Sequence, residues 1–292
     1  MDIEAPPWRR GRQRHFPGLP AWSAPATVAA SEQFEVSALP QVDRRWAWEG
    51  ADGSGVRVCV VDSGIDATHP AVGEVEQAWH VVADDLGLPH VSECEPIDRA
   101  GHGTSCAGII RGIAPGVRLS SIRVLTDGKA GSGAALLAGL EYAIDAGFDV
   151  VNMSLSTTRP QFRARLAELA DRAYFRRCVL VVSAHNMPVE SFPWTFASVI
   201  SVASHDQDDP LTYFYNPAPP ADFHARGARV PIARLGGGTG RGTGNSFAAP
   251  HITGIAALVL SRHPWLTPFQ LKSVLYHCAA NVGAAPAPVS LA

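Results

Sequence analysis

Lysine is almost missing from this chain: Lys129 and Lys272 are the only lysines among 24 basic residues. Charged residues of all kinds reach only 17% and the net charge is −3. Such a balance gives no reason to expect nucleic acid or an anionic membrane as partner. Long hydrophobic runs are also missing. The longest uninterrupted apolar run covers residues 255–260, far short of the ~20 residues that span a bilayer. Residues 1–16 lack the apolar segment of roughly 7–15 residues found in secretory signals, so the expected location is cytoplasmic. Cysteine is sparse and odd in number. Cys59, Cys94, Cys106, Cys178 and Cys278 cannot all pair within one chain, and their scatter fits reduced thiols better than a disulfide framework.

What the chain has in plenty is apolar surface, 46% of its residues, enough for a sizeable core. That material is unevenly spread. The first 40 residues hold Pro6, Pro7, Pro17, Pro20, Pro25 and Pro40 and no sustained apolar pattern, so residues 1–45 are expected to form a proline-rich extension. The basic cluster at residues 9–15 is expected to be a solvated tail. From Gly53 onward, short β-branched runs at 56–61, 119–125, 149–155, 178–184 and 198–203 read as strands. Between and after them, residues 133–146, 162–176 and 246–263 read as helices, with Gly147 placed as a left-handed C-cap. Thr267-Pro268-Phe269-Gln270 carries a capping box and a proline at the first helical position, a specific start signal for a last helix. Strands alternating with helices predict an α/β domain over 46–292, built on a mostly parallel sheet with helices on both faces.

Three segments carry chemistry. Ser246 lies in Gly244-Asn245-Ser246-Phe247-Ala248-Ala249, which places a hydroxyl at a predicted helix N-terminus, where unpaired N–H groups favour negative charge. Asp62 follows the strand run Val58-Cys59-Val60-Val61. Catalytic groups gather at such strand ends in parallel sheets. His102 lies in Gly101-His102-Gly103-Thr104, where it can act as a general base. Read singly, Asp62-Ser63-Gly64 is a turn and His102 a structural loop histidine. Their combination and order, Asp62, His102, Ser246, change the reading.

The strings Val61-Asp62-Ser63-Gly64-Ile65-Asp66, Gly101-His102-Gly103-Thr104, Val151-Asn152-Met153-Ser154-Leu155 and Gly244-Asn245-Ser246 resemble motifs of the subtilisin-like serine proteases, the subtilase family. The likeness runs from about Gly53 to Asn281. It implies a three-layer α/β fold and peptide or protein substrates, with Ser246 as nucleophile, His102 as base and Asp62 as its orienting carboxylate. It also implies that Asn186 donates to an oxyanion beside the Ser246 N–H. Gly131, Ser132 and Gly133 would pair with an extended substrate on one side, and Ser154, Leu155 and Ser156 on the other. The loop after Asn186, residues 187–194, is short for the family, so one wall of the adjoining pocket is expected to be open or altered, with apolar residues preferred there.

Against the family pattern, Asn245 stands where threonine is usual, Ser105 where a second histidine is, and His185 where glycine is. Many members carry a calcium loop inside the helix after the histidine. Here no side chain from residue 106 to 119 carries an oxygen, whereas calcium takes about 6–8 oxygen ligands. The main calcium site is therefore expected to be absent and no cofactor is expected. Asp84 with Asp85, or Asp206, Asp208 and Asp209, remain as weak calcium candidates. Cys106, one turn after His102, is expected to be a packed side chain. The extension, through residues 16–20, is expected to cross the active-site cleft. Two functions compete: a serine endopeptidase, either general or dedicated to one precursor or leader peptide, and a peptide-binding pseudoprotease without turnover.

Overall fold

The computed structural model describes residues 42–125 and 132–283. The chain divides into two compact units, Met1–Val42 and Asp43–Ala292, and the second is described below. Residues 1–41 of the expected extension lie outside the described residues. Arg44–Trp48 form helix α1, capped by the Asp43 side chain, which accepts from the Trp46 N–H at 2.7 Å.

Nine strands form one sheet: β1 (Arg57–Asp62), β2 (Gln77–Ala83), β3 (Pro89–Glu93), β4 (Arg118–Arg123), β5 (Val150–Met153), β6 (Val179–Ser183), β7 (Ile200–His205), β8 (Tyr213–Tyr215) and β9 (Phe223–Arg226). Their order is β3-β2-β4-β1-β5-β6-β7-β9-β8. Only the outermost pairs, β2 with β3 and β8 with β9, are antiparallel. The central strands β1, β5 and β6 are buried nearly throughout. That is why they read as continuous valine-rich runs rather than as alternating ones.

Side chains of a strand alternate between the two faces. In β5, Val151 and Met153 join the core cluster that also holds Leu136 and Leu140 of α3 (Gly133–Asp145) and Leu166 and Leu169 of α4 (Arg163–Phe175). Asn152, between them, instead accepts at Oδ1 from Thr253 Oγ1 of α5 (Asn245–Arg262). Helix α5 packs on the second face beside α2 (His102–Ile113). Every α5 residue from Phe247 to Leu260 is buried, each larger aliphatic side chain contributing about 1.5–3 kcal/mol of burial free energy. The result is the expected three-layer α/β arrangement.

Gly147 has φ +72°, as its C-cap position requires. The last helix, α6 (Pro268–Cys278), carries the expected capping box between Thr267 and Gln270. Strands β10 (Val230–Arg234) and β11 (Gly238–Gly242) form a separate antiparallel pair. Among the described residues, no helix is long and apolar enough to cross a membrane.

Candidate active site

Parallel strands bring their C-terminal ends to one edge of the sheet, and Asp62 closes β1 there. Its carboxylate is fully buried. Oδ1 accepts from the Ser63 N–H at 2.7 Å, and both oxygens lie 2.9 Å from His102 Nδ1. A carboxylate can only accept, so this contact places a proton on Nδ1, and in the neutral ring Nε2 is then the nitrogen that can accept one. The His102 side chain is 10% exposed, its ring centroid 5.5 Å from that of Phe247.

Close backbone approach makes this contact possible. Gly103 N–H donates to Ser63 Oγ at 3.0 Å, and a Cβ on Gly103 would lie 2.0 Å from the Gly64 carbonyl oxygen. Only glycine allows the Asp62 turn and the start of α2 to interlock this tightly. The helix start is held by a residue that the motif reading missed. Asp98 accepts from Ala100 N–H and Gly101 N–H at Oδ1, and from Thr104 N–H and Oγ1 at Oδ2, all at 2.7–2.9 Å. These bonds satisfy the Thr104 N–H, an orphan donor of the first turn, together with the two N–H groups just before the helix, and so fix the residue that carries the imidazole.

Ser246 is the second residue of α5. Its carbonyl would ordinarily accept from the N–H four residues on, but that residue is Pro250, which has none. Two side chains fill the gap. Ser154 Oγ donates to the Ser246 carbonyl at 2.8 Å and Cys106 Sγ at 3.5 Å. Ser154 Oγ itself accepts from Asn152 Nδ2 at 3.2 Å, so a buried chain from Thr253 through Asn152 and Ser154 ends on the Ser246 backbone carbonyl. Cys106 is thus a buried side chain that also hydrogen-bonds to the Ser246 carbonyl. Its sulfur, a His102 ring nitrogen and an Asp62 oxygen lie within 4.8 Å of one another.

Asn186 follows β6, and its Oδ1 accepts from the Asn245 N–H at 2.9 Å. A Cβ on Gly244 would meet Asn186 Nδ2 and Ser246 Oγ at 3.4 Å each, so both polar ends border the same small space. The Asn245 side chain braces this region further. Its Oδ1 accepts from Ser204 N–H and Oγ at 2.9 and 2.7 Å, and its Nδ2 donates to the His185 carbonyl at 3.2 Å. His185 turns its ring back on its own loop, with Nδ1 accepting from Met187 N–H at 3.0 Å.

A cleft of about 560 Å³ joins these groups. His102, Asn186 and Ser246 line it together with Ser132, Gly133, Ser154, Leu155 and Ser156. Gly131 lies outside the described residues. Ser132 also caps α3 by accepting from the Ala135 N–H at 3.0 Å, and Ser154 spends its hydroxyl inward on Ser246. The short loop after Asn186 is tied to the opposite segment. Thr157 and Phe192 exchange both backbone hydrogen bonds at 2.9 Å.

The weak calcium candidates are differently engaged. Asp84 Oδ1 accepts from Leu86 N–H and Leu88 N–H at 2.9 and 2.7 Å. Asp208 pairs with Arg226 at 2.9 Å. Asp209 accepts from Leu211 N–H at 3.2 Å and from the Thr212 hydroxyl, and that hydroxyl contact leads the causes holding its carboxyl below the usual range.

The subtilase family profile (Peptidase_S8) matches residues 53–289. Subtilisin DY of Bacillus licheniformis is 30% identical over 250 residues, covering 80% of this chain and 87% of its own. Subtilisin E of Bacillus subtilis strain 168 is 31% identical over 251 residues, covering 80% of this chain, which spans 63% of that relative's length. Thermitase of Thermoactinomyces vulgaris is 31% identical over 229 residues, covering 74% of this chain and 78% of its own. The crystal structure of a cold-adapted subtilisin-like serine proteinase superposes with a TM-score of 0.63, covering 80% of this chain and 86% of that one at 23% identity, a likeness of fold. The chain belongs to the subtilase family of subtilisin-like serine proteases.

Proposed function

We propose that this protein is an endopeptidase whose nucleophile is Ser246 and that it makes a dedicated cut in a precursor or leader peptide. The observation that carries the chemistry is the Asp62–His102 contact at 2.9 Å from both carboxylate oxygens, in one cleft with Ser246 and Asn186. His102 Nε2 takes the Ser246 proton as Oγ bonds to the scissile carbonyl carbon, whose π pair moves onto oxygen. Asn186 Nδ2 and the Ser246 N–H donate to that oxyanion. When the C–N bond breaks, the imidazolium returns its proton to the leaving amine. Water then enters by the same route and frees Ser246 from the acyl ester.

Substrate would lie extended between the segment ending at Gly133 and the segment of Ser154, Leu155 and Ser156. Ser156, Thr157 and Arg159 line the cleft walls, and these polar residues support narrow rather than general acceptance. Five free thiols support work in a reducing, cytoplasmic setting. In this reading the extension of residues 1–45 supplies a segment that crosses the cleft, and its removal changes activity.

Incubation with a diverse peptide library, with cut sites mapped by mass spectrometry, tests the proposal. Cuts confined to one sequence context in the wild type and none in Ser246→Ala support it. Cuts spread over many contexts would replace the dedicated role by general turnover. Peptide binding without any cut would replace both by a peptide-binding pseudoprotease.

A further inference from the structure

The helix that begins with His102 carries Arg111 about two and a half turns later. The Arg111 guanidinium makes four hydrogen bonds, every one to a backbone carbonyl. Nε donates to Val72 at 2.9 Å, Nη2 to Glu74 at 2.9 Å, and Nη1 to Pro115 and Val117 at 2.8 and 2.7 Å. Val72 and Glu74 belong to the segment between β1 and β2. Pro115 and Val117 belong to the turn between α2 and β4. One side chain therefore fastens two separate loops to the C-terminal half of α2. Burial draws its pKa down and the nearby Glu74 carboxylate opposes that, yet a guanidinium stays charged at any working pH.

A ring of carbonyl oxygens around a positive centre is the chemistry of a calcium site, and the resemblance places the family's calcium loop inside this helix. The donor set does not suit the metal. Calcium wants about 6–8 oxygens at about 2.3–2.6 Å, with carboxylates among them. Here four carbonyls meet a planar fork at ordinary N···O lengths. The Glu76 carboxylate beside them is paired with Arg118. A divalent ion placed among these oxygens would sit against the fixed positive charge of the guanidinium, which like-charge repulsion disfavours.

We propose that Arg111 is a built-in cation that takes over the loop-fastening work of a bound calcium ion, making the stability of this protein independent of the metal. The benefit reaches the catalytic end. Holding both loops against α2 fixes the helix whose first residue, His102, faces Asp62. The inference stands apart from the chemistry assigned to Ser246, since its readout is thermal stability.

The test compares melting of the wild type in excess calcium and in excess EDTA, alongside Arg111→Ala and Arg111→Lys. The wild type is expected to melt within ~3 °C under both conditions, and Arg111→Ala to melt at least ~5 °C lower, a shift typical of losing a few well-made bonds in a domain of this size. Arg111→Lys should recover less than half of that loss, because one ammonium with three donors cannot reproduce the fork. Should Arg111→Ala not fold, the lysine variant and the wild-type comparison decide. A wild-type difference above ~3 °C between calcium and EDTA would overturn the proposal, since binding to the native state raises stability by mass action. So would arginine variants that melt with the wild type.

Discussion

The backbone N–H of Asn245 donates to Oδ1 of Asn186 at 2.9 Å, and this bond decides which end of the Asn186 amide is left to donate. With Oδ1 engaged, Nδ2 is the end free to meet an oxyanion. The Asn245 side chain steadies the donor by holding Ser204 of β7 and the His185 carbonyl beside Asn186. Asn245, the residue before Ser246, therefore bears on the position of Asn186 through both its backbone and its side chain. Asn186→Ala should lower kcat by about 10²–10³, a loss measured for one such donor in subtilisin itself. Asn245→Ala should lower kcat roughly tenfold with KM changed less than about twofold, the signature of a contact realised in the transition state. Asn245→Thr, which offers one hydroxyl in place of the amide and reaches fewer partners, should fall between. Steady-state kinetics on a cleaved peptide check this, and a threonine variant faster than the wild type would contradict it.

Ser154 and Pro250 are coupled through the Ser246 carbonyl. Ser154→Ala removes a buried donor and should destabilise by about 1–3 kcal/mol. Pro250→Ala restores an N–H that can donate to the same carbonyl within α5. In that background the Ser154→Ala cost should fall below about half, a non-additivity that urea unfolding of the double-mutant cycle measures. Equal costs in both backgrounds would show that the proline is not the reason for the serine.

His251 lies 3% exposed in α5. Burial pushes its imidazole down to about 4, with smaller pushes from Arg226 and His205 and an opposing bond from Nδ1–H to the Phe247 carbonyl. That bond is 2.8 Å long. The folded pKa is below the unfolded value of about 6.5, so the unfolded chain binds the proton first. The stability tied to this group is present above about pH 6.5 and is lost as pH falls toward 4, by about 3 kcal/mol over the window. His251→Asn should flatten that part of the stability–pH curve. An unchanged slope would mean that His251 is not the group responsible.

Much of this was legible in the sequence because buried parallel strands must be apolar on both faces. Val58-Cys59-Val60-Val61 and Val179-Leu180-Val181-Val182 could hardly be anything else. Thr267-Pro268 announced its helix for an equally local reason. Strands β2 and β3 escaped notice because Trp79, His80 and His90 interrupt any clean alternation. Strand β11, Gly238-Thr239-Gly240-Arg241-Gly242, has no strand propensity and exists through its pairing with β10. At the site, Asp62, His102, Asn186 and Ser246 were readable from motifs. The Asp98 cap and the Arg111 clamp were not, because their partners are mainly backbone groups that become neighbours only in the folded chain.

Covalent labelling with a fluorophosphonate, read by intact mass and peptide mapping, tests the central claim most directly. Attack by Ser246 Oγ on phosphorus expels fluoride and leaves one stable adduct. A single adduct is expected on Ser246 in the wild type, none in Ser246→Ala, and labelling slower by at least ~10² in His102→Ala, where no base takes the proton. A folded wild type that stays unlabelled, or an adduct on any other residue, would contradict it.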